Sequence, residues 1–115
     1  MTDVLVVVCM QKDFISGPLG TGEAREIVPK VADKIQGFEG IVVYTKDTHY
    51  EEYLETPEGL KLPVVHCLEG TEGWELQEDI GRLAEEARSL VLEQDGYGSQ
   101  ELVEYLMEIH EEEGL

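Results

Sequence analysis

The sequence predicts an α/β fold, a doubly wound (Rossmann-like) parallel sheet truncated to about three strands with flanking helices. Runs of β-branched residues alternate along the chain with segments whose apolar residues recur at helical spacing. The first run, residues 4–10 (VLVVVCM), is apolar throughout, which is typical of a strand buried on both faces, so we expect it to be the central strand. Strands separated by helices join through right-handed crossovers into one parallel sheet.

The segment after the first strand predicts a loop, a helix and a second strand. Residues 17–20 (GPLG) have the composition of a loop, and Gly37 is expected to end the helix that follows. Pro29 is a local helix breaker, which leaves the start of this helix open. A second strand is expected at residues 41–45 (IVVYT). The helix face consists of Ala24, Ile27, Val28, Val31 and Ile35.

The rest of the chain predicts a long loop followed by helix, strand and helix. Residues 46–71 are too many for a simple connection, and long loops in such folds usually carry function. A short third strand is expected at residues 90–92, and the last helix is expected to begin at the N-cap Ser99 and to end at Gly114. The two helix faces consist of Leu76, Ile80, Leu83, Ala84 and Ala87, and of Leu102, Val103, Leu106 and Ile109.

Length and charge limit the class of protein. With 115 residues, the chain is expected to be one domain over residues 1–115, incomplete at its C-terminus because it ends after a helix where such a fold continues into another strand. A net charge of −18 repels phosphate backbones and anionic lipids, so we expect no nucleic-acid and no membrane partner. The absence of a basic segment before the first apolar run predicts a cytoplasmic protein with free thiols.

Asp47, His49 and His66 form the strongest candidate site in the sequence. Asp47 and His49 lie just past the second strand, where alternation points both side chains to the same side of the chain. A carboxylate with two imidazoles suits Zn²⁺ or another borderline divalent ion. Alternatively, Asp47 caps a turn and both histidines are ordinary loop residues. Glu55 and Glu58 lie between the histidines, and either one can donate an oxygen or simply be solvated.

Two cysteines and two aromatic residues have competing interpretations. Cys9 ends the first strand, where doubly wound folds place catalytic groups, so it is either a nucleophile or a small core residue. Cys67 directly follows a candidate ligand and points the opposite way in an extended chain, which favours a packing role. Phe14 and Trp74 are either core residues or the lining of an aromatic pocket, and Phe14 is the candidate substrate-pocket residue.

Three segments together resemble the nicotinamidase/isochorismatase-like cysteine hydrolase family. They are residues 4–14 (VLVVVCMQKDF), 44–49 (YTKDTH) and 62–71 (LPVVHCLEGT). The resemblance implies a doubly wound sheet of about six strands, of which this chain carries the N-terminal part only. It also implies hydrolysis of small amides, and metal ligands at Asp47, His49 and His66 with Glu58 as a further ligand.

The catalytic positions depart from the family pattern. The resemblance implies an Asp-Lys-Cys triad in which the cysteine attacks the carbonyl carbon. The family's aspartate falls on Cys9 and its lysine on Gln94, and its nucleophilic cysteine lies after a fourth strand that this chain lacks. Cys67 matches the family's residue beside the metal-binding histidine, so it does not replace the nucleophile. No catalytic residue is intact, and we expect the isolated chain to be inactive.

Three hypotheses about function therefore stay open. The chain is a truncated or redesigned member of this hydrolase family whose chemistry is lost or supplied by another chain. Alternatively, it is a non-catalytic metal- or small-molecule-binding module, in which Cys9 adds a soft ligand. The third hypothesis is an engineered fragment or assembly subunit. In the family's strand order the first strand becomes an edge, so we expect a homo-oligomer or a complementing chain that pairs through residues 4–10.

Overall fold

A three-stranded parallel sheet forms the centre of the fold. The computed structural model describes residues 3–94 and 100–112. The strands are β1 (Val4–Val8), β2 (Ile41–Asp47) and β3 (Leu90–Gln94), and they lie in the order β1-β2-β3. Both pairings are parallel, with Val4 opposite Ile41 and Val43 opposite Leu90. The predicted α/β class, with about three parallel strands and flanking helices, is confirmed.

Five α-helices and two short 3₁₀ helices accompany the strands in the described parts of the chain. Thr21 caps α2, since its side chain accepts a hydrogen bond from the Ala24 N–H, and Pro29 lies inside this helix. The predicted ends of the last helix, Ser99 and Gly114, lie outside the described residues. The helices are α1 (Lys12–Ile15), α2 (Gly22–Gly37), α3 (Pro57–Lys61), α4 (Glu78–Glu86) and α5 (Gln100–Glu112), and the 3₁₀ helices are Tyr53–Glu55 and Glu72–Trp74. None of the described helices is long and apolar enough to cross a membrane.

The main core lies between the sheet and the helices α2 and α4. Tyr44 of β2 and Ile80 of α4 are fully buried there, and Val7, Ile35 and Ala84 complete the contact between the layers. Val28 of α2 and Ile15 of α1 belong to the same cluster. Most residues of the predicted apolar faces of α2 and α4 therefore cover one side of the sheet, whereas Ile27 and Ala87 are exposed.

The ends of the strands differ from the predictions. The first strand was expected over residues 4–10, but β1 ends at Val8 because Cys9 has a φ of 52°, a left-handed conformation that turns the chain out of the sheet. β2 and β3 each run two residues further than expected, to Asp47 and Gln94. Asp47 and Gln94 therefore lie on strands instead of in loops.

The expectation that residues 4–10 form the central strand is wrong for the described sheet, in which β2 is central and β1 lies at an edge. An apolar run shows that a strand can be buried, but it does not show which strands lie beside it. Asp3 accepts a hydrogen bond from Ile41, and Cys9 donates one to Thr45, so the odd-numbered residues of β1 face β2. The even-numbered residues 4, 6 and 8 then turn their backbone N–H and C=O groups to the open side.

An apolar groove runs along this open edge. It has a volume of about 300 Å³ and lies between β1 and α2, where Val31 and Lys34 form part of its wall. Val8, at the end of the edge, is 60% exposed. An edge with unpaired backbone groups and exposed aliphatic side chains is a template for another strand.

We expect two copies of the chain to pair through their β1 edges about a two-fold axis. Burial of half of the β1 side chains contributes several kcal/mol at about 25 cal/mol per Å². Repulsion between two bodies of charge −18 opposes this pairing, but salt screens it over about 8–10 Å. Sedimentation at about 50 μM, well above the micromolar affinity scale, should show a dimer or larger species that strengthens with salt.

The variant Val6→Pro sharpens this test. Proline removes an N–H that faces the open side and is not used by β2, so the fold should persist while strand pairing weakens. Val6→Thr, which keeps that N–H, is the matched control and should still associate. A clean monomer of the parent chain at both low and moderate salt would show that the edge stays unpaired.

Candidate metal centre

The carboxyl edge of the sheet brings the three candidate ligands together. Asp47 is the last residue of β2, and His49 follows it by two residues. His66 comes from the segment after α3, which lies beside His49 because His49 N–H donates to the Cys67 carbonyl and Glu69 N–H donates to the His49 carbonyl, both at 2.9 Å. One ligand atom from each of Asp47, His49 and His66 lies within 4.8 Å of the others.

The carboxylate lies between the two imidazoles. Asp47 Oδ2 is 2.9 Å from His49 Nε2 and 3.6 Å from His66 Nε2. Both histidines are buried, whereas Asp47 is partly exposed. Alternation along the extended chain thus places Asp47 and His49 on the same side, as the sequence predicts.

The orientation of His66 fits a metal ligand. Its Nδ1 lies 2.6 Å from the carbonyl oxygen of Val64, a group that only accepts, so Nδ1 is the donor of this hydrogen bond. Its Nε2 faces the carboxylate of Asp47. Histidine ligands in metal sites are commonly oriented by this kind of second hydrogen bond. The donor set therefore fits a divalent metal ion.

Aromatic rings enclose the two histidines. The ring of Phe14 packs edge-on against His66 with a centroid distance of 5.3 Å, and Tyr53 lies 4.5 Å from His49. Phe14 therefore borders the candidate centre, and its role as a substrate-pocket residue stays a prediction. Sequence reasoning missed Tyr53, which is 1% exposed and donates a hydrogen bond to the Leu62 carbonyl. A single tyrosine in a three-residue 3₁₀ helix gives no periodic signal.

The two glutamates between the histidines have different positions. Glu58, in the first turn of α3, places Oε2 at 3.7 Å from His49 Nε2, so it lies at the margin of the centre. Thr56 fixes the start of α3 because its hydroxyl accepts a hydrogen bond from the Gly59 N–H. Glu55 is exposed and is not part of the cluster.

The positions predicted to lack catalytic groups also lie at this edge. Cys9 follows β1, Gln94 ends β3, and Gln94 pairs in register with Asp47. Burial raises the pKa of the Cys9 thiol, and a hydrogen bond to the backbone of Asp47 only partly opposes this effect. Within the described ranges, the metal-ligand cluster does not include Cys9, which argues against Cys9 as an additional ligand.

Cys67 is a packing residue, as predicted. It is fully buried, and its backbone N–H donates to Asp13 Oδ2 at 2.8 Å. Burial raises the pKa of the Cys67 thiol, and the nearby negative charges of Asp47 and Asp13 raise it further. At neutral pH this thiol is protonated and enclosed, so it is not an available nucleophile.

The fold and the position of the cluster define an α/β protein with a candidate metal centre at the carboxyl edge of its sheet. The sequence model of the isochorismatase domain matches residues 3–112, so the chain belongs to the isochorismatase domain family. The family that the sequence motifs resemble is thereby confirmed. No curated protein matches the chain significantly.

Solved structures agree with this assignment. A nicotinamidase/pyrazinamidase from Bacillus subtilis is 25% identical, with a TM-score of 0.82 over 94% of this chain and 66% of its own. An N-carbamoylsarcosine amidase from Thermoplasma acidophilum is 33% identical, with a TM-score of 0.70 over 85% of this chain and 54% of its own. A pyrazinamidase from Pyrococcus horikoshii in complex with zinc is 28% identical, with a TM-score of 0.64 over 87% and 55%. The chain thus spans between about half and two thirds of the length of these structures.

We expect Cys67 to resist alkylation in the native chain. Iodoacetamide reacts with the exposed thiolate, and Cys67 is both buried and held as the thiol. Peptide-level mass spectrometry after treatment at pH 8 should show slower modification of Cys67 than of the half-buried Cys9, and equal modification of both in urea. Rapid labelling of Cys67 without denaturant would contradict the structure of this segment.

Proposed function

We propose that the chain binds one divalent metal ion, zinc by preference, through Asp47, His49 and His66. The observation that carries this proposal is the convergence of the three ligand atoms within 4.8 Å at the carboxyl edge of the sheet. The orientation of His66 by the Val64 carbonyl supports it further, because it leaves Nε2 free to bind a metal.

The donor set favours zinc over harder cations. Two imidazoles and one carboxylate are ligands that suit Zn²⁺, whereas Mg²⁺ and Ca²⁺ prefer oxygen ligands. Glu58 is the candidate for a further ligand because its carboxylate lies 3.7 Å from His49 Nε2. The zinc complex of the Pyrococcus horikoshii pyrazinamidase gives additional support from a structural neighbour. A zinc ion with an open coordination position polarises a bound carbonyl or water.

We propose a small amide as the ligand of this site. Nicotinamidases, pyrazinamidases and an amidase are among the structural neighbours, and Phe14 offers an aromatic ring beside His66. Among the described residues, the positions that match the family's catalytic aspartate and lysine carry neither a carboxylate nor a charge. Cys9 stands where the family has a carboxylate, Gln94 carries no charge, and Cys67 is enclosed.

The second candidate function is therefore a metal- or ligand-binding module without catalysis. The substitution of uncharged groups at Cys9 and Gln94 favours it, because both residues lie beside Asp47 at the edge where catalytic groups would act. Zinc binding without turnover supports this module, and turnover supports the hydrolase. The absence of both supports an assembly subunit.

Calorimetry with Zn²⁺ should show one binding site in the parent chain. His49→Ala and His66→Ala should each weaken binding by more than tenfold, because each removes a ligand from the same ion. His110→Ala is the matched control: His110 is the third histidine of the chain, lies exposed on α5, and should bind as the parent does.

The pH dependence gives an independent check on the ligands. Metal binding needs neutral imidazoles, so protons compete with the ion and the affinity should fall as the pH is lowered. If both histidine variants bind zinc as tightly as the parent chain, the ligand assignment is wrong.

The chain by itself should not hydrolyse nicotinamide measurably. Groups of a catalytic unit act together, so their combined absence leaves only positioning and metal polarisation. An ammonia-release assay on the zinc-loaded chain should stay near the buffer rate. A turnover of about 1 s⁻¹ or more, the low end for ordinary enzymes, that Cys9→Ser abolishes and Cys67→Ser does not would overturn this expectation.

A further inference from the structure

Gln11 holds the backbone of Asp47 with its buried side chain. Its Nε2 donates to the Asp47 carbonyl, and its Oε1 accepts from the Asp47 N–H, both at 2.8 Å. Nε2 also donates to the Trp74 carbonyl at 2.8 Å. Gln11 is fully buried, so the primary amide has its polar groups directed at these two backbones.

The end of β1 explains why a side chain, and not a neighbouring strand, binds the backbone of Asp47. The odd-numbered residues of β2 face β1, but the pairing ends where Cys9 N–H donates to the Thr45 carbonyl. The backbone of Asp47 therefore has no partner in β1. The Gln11 amide takes the place of a paired strand residue and satisfies both backbone groups of Asp47.

Gln11 is itself fixed by a different part of the chain. It forms an antiparallel bridge with Leu76, in which Lys12 N–H donates to the Glu75 carbonyl at 3.0 Å and Gln77 N–H donates to the Met10 carbonyl at 2.8 Å. Gln11 occupies the N-cap position of α1, yet its side chain makes no capping bond to that helix. The side chain is used for Asp47 instead.

Asp13 makes a corresponding contact with the segment that carries His66. Its Oδ2 accepts the N–H of Cys67, the residue after His66, at 2.8 Å. Cys67 has a φ of 50°, a left-handed conformation that a hydrogen bond to its N–H helps to hold. A Cβ at Gly73 would overlap the Asp13 carboxylate, so the glycine leaves the space in which this carboxylate lies.

We propose that Gln11 and Asp13 are positioning residues of the metal centre: Gln11 sets the place of Asp47, and Asp13 sets the place of His66. Neither residue touches the ion. Both lie on one three-residue segment, so this segment fixes the separation between a ligand on β2 and a ligand from the loop after α3. The inference rests on the proposed metal function.

The test measures Co²⁺ binding to the full chain, with the d–d absorption of the bound ion as a second readout of ligand geometry. Gln11→Met keeps a side chain of similar length but loses all three hydrogen bonds. We expect a loss of Co²⁺ affinity of about tenfold to a hundredfold, the usual effect of removing a partner outside the ligand set, together with shifted absorption bands.

Asp13 allows a rescue comparison that does not depend on the Gln11 variant folding. Asp13→Leu removes the acceptor for Cys67 N–H, whereas Asp13→Asn keeps a carbonyl oxygen in its place. Asp13→Leu should weaken Co²⁺ binding and shift the spectrum, and Asp13→Asn should retain the parent spectrum and most of the affinity that Asp13→Leu loses.

Thr21→Val is the matched control for a general loss of stability. The Thr21 side chain caps α2 by accepting a hydrogen bond from the Ala24 N–H, and Thr21 belongs neither to the Gln11–Asp13 segment nor to the bridge that holds it. This variant should lower the melting temperature and leave Co²⁺ affinity and spectrum unchanged. If the parent binds Co²⁺ and the Gln11 and Asp13→Leu variants match it, the positioning role is refuted. If the parent binds no Co²⁺, the metal function itself is wrong and the inference falls with it.

Discussion

Parallel pairing of β2 with a strand on each side is the interaction on which the rest of the structure depends. Residues 43–46 of β2 are buried, and the three strands run in one direction, so their carboxyl ends meet at a single edge. The two neighbours end at different places: β3 continues opposite Asp47, whereas β1 ends opposite Thr45. This difference leaves room beside Asp47, and the segments that carry Gln11 and His66 fill it.

The charge of the chain couples the candidate centre to the stability of the fold. Asp47 lies between two imidazoles, with Glu58 at the margin, in a protein of net charge −18. Carboxylates gathered at one edge repel each other unless a cation lies among them. An ion that binds the folded chain and not the unfolded chain stabilises the fold by mass action. A metal ion bound by the proposed ligands would therefore stabilise the fold at this edge.

The sequence predicted the strands and the longer helices better than the short helices. The faces of α2 and α4 follow from helical periodicity, because each buries one side against the sheet, and the second and third strands follow from their apolar runs. α1 and α3, of four and five residues, are too short to show a period. The residues of β1 also did not predict its position at the edge, because strand order depends on which other strands pair with it.

The sequence by itself determined the α/β class, the family motifs and the identity of the three candidate ligands, because these depend on local patterns and on residue chemistry. Alternation alone placed Asp47 and His49 on the same side of the chain. Only the tertiary structure decided that His66 lies beside them and that the rings of Tyr53 and Phe14 pack against the histidines. It also decided that Gln11 forms hydrogen bonds with the backbone of Asp47, 36 residues away in the sequence. Those contacts arise where buried backbone groups must find partners, and such partners can come from any part of the chain that packs nearby.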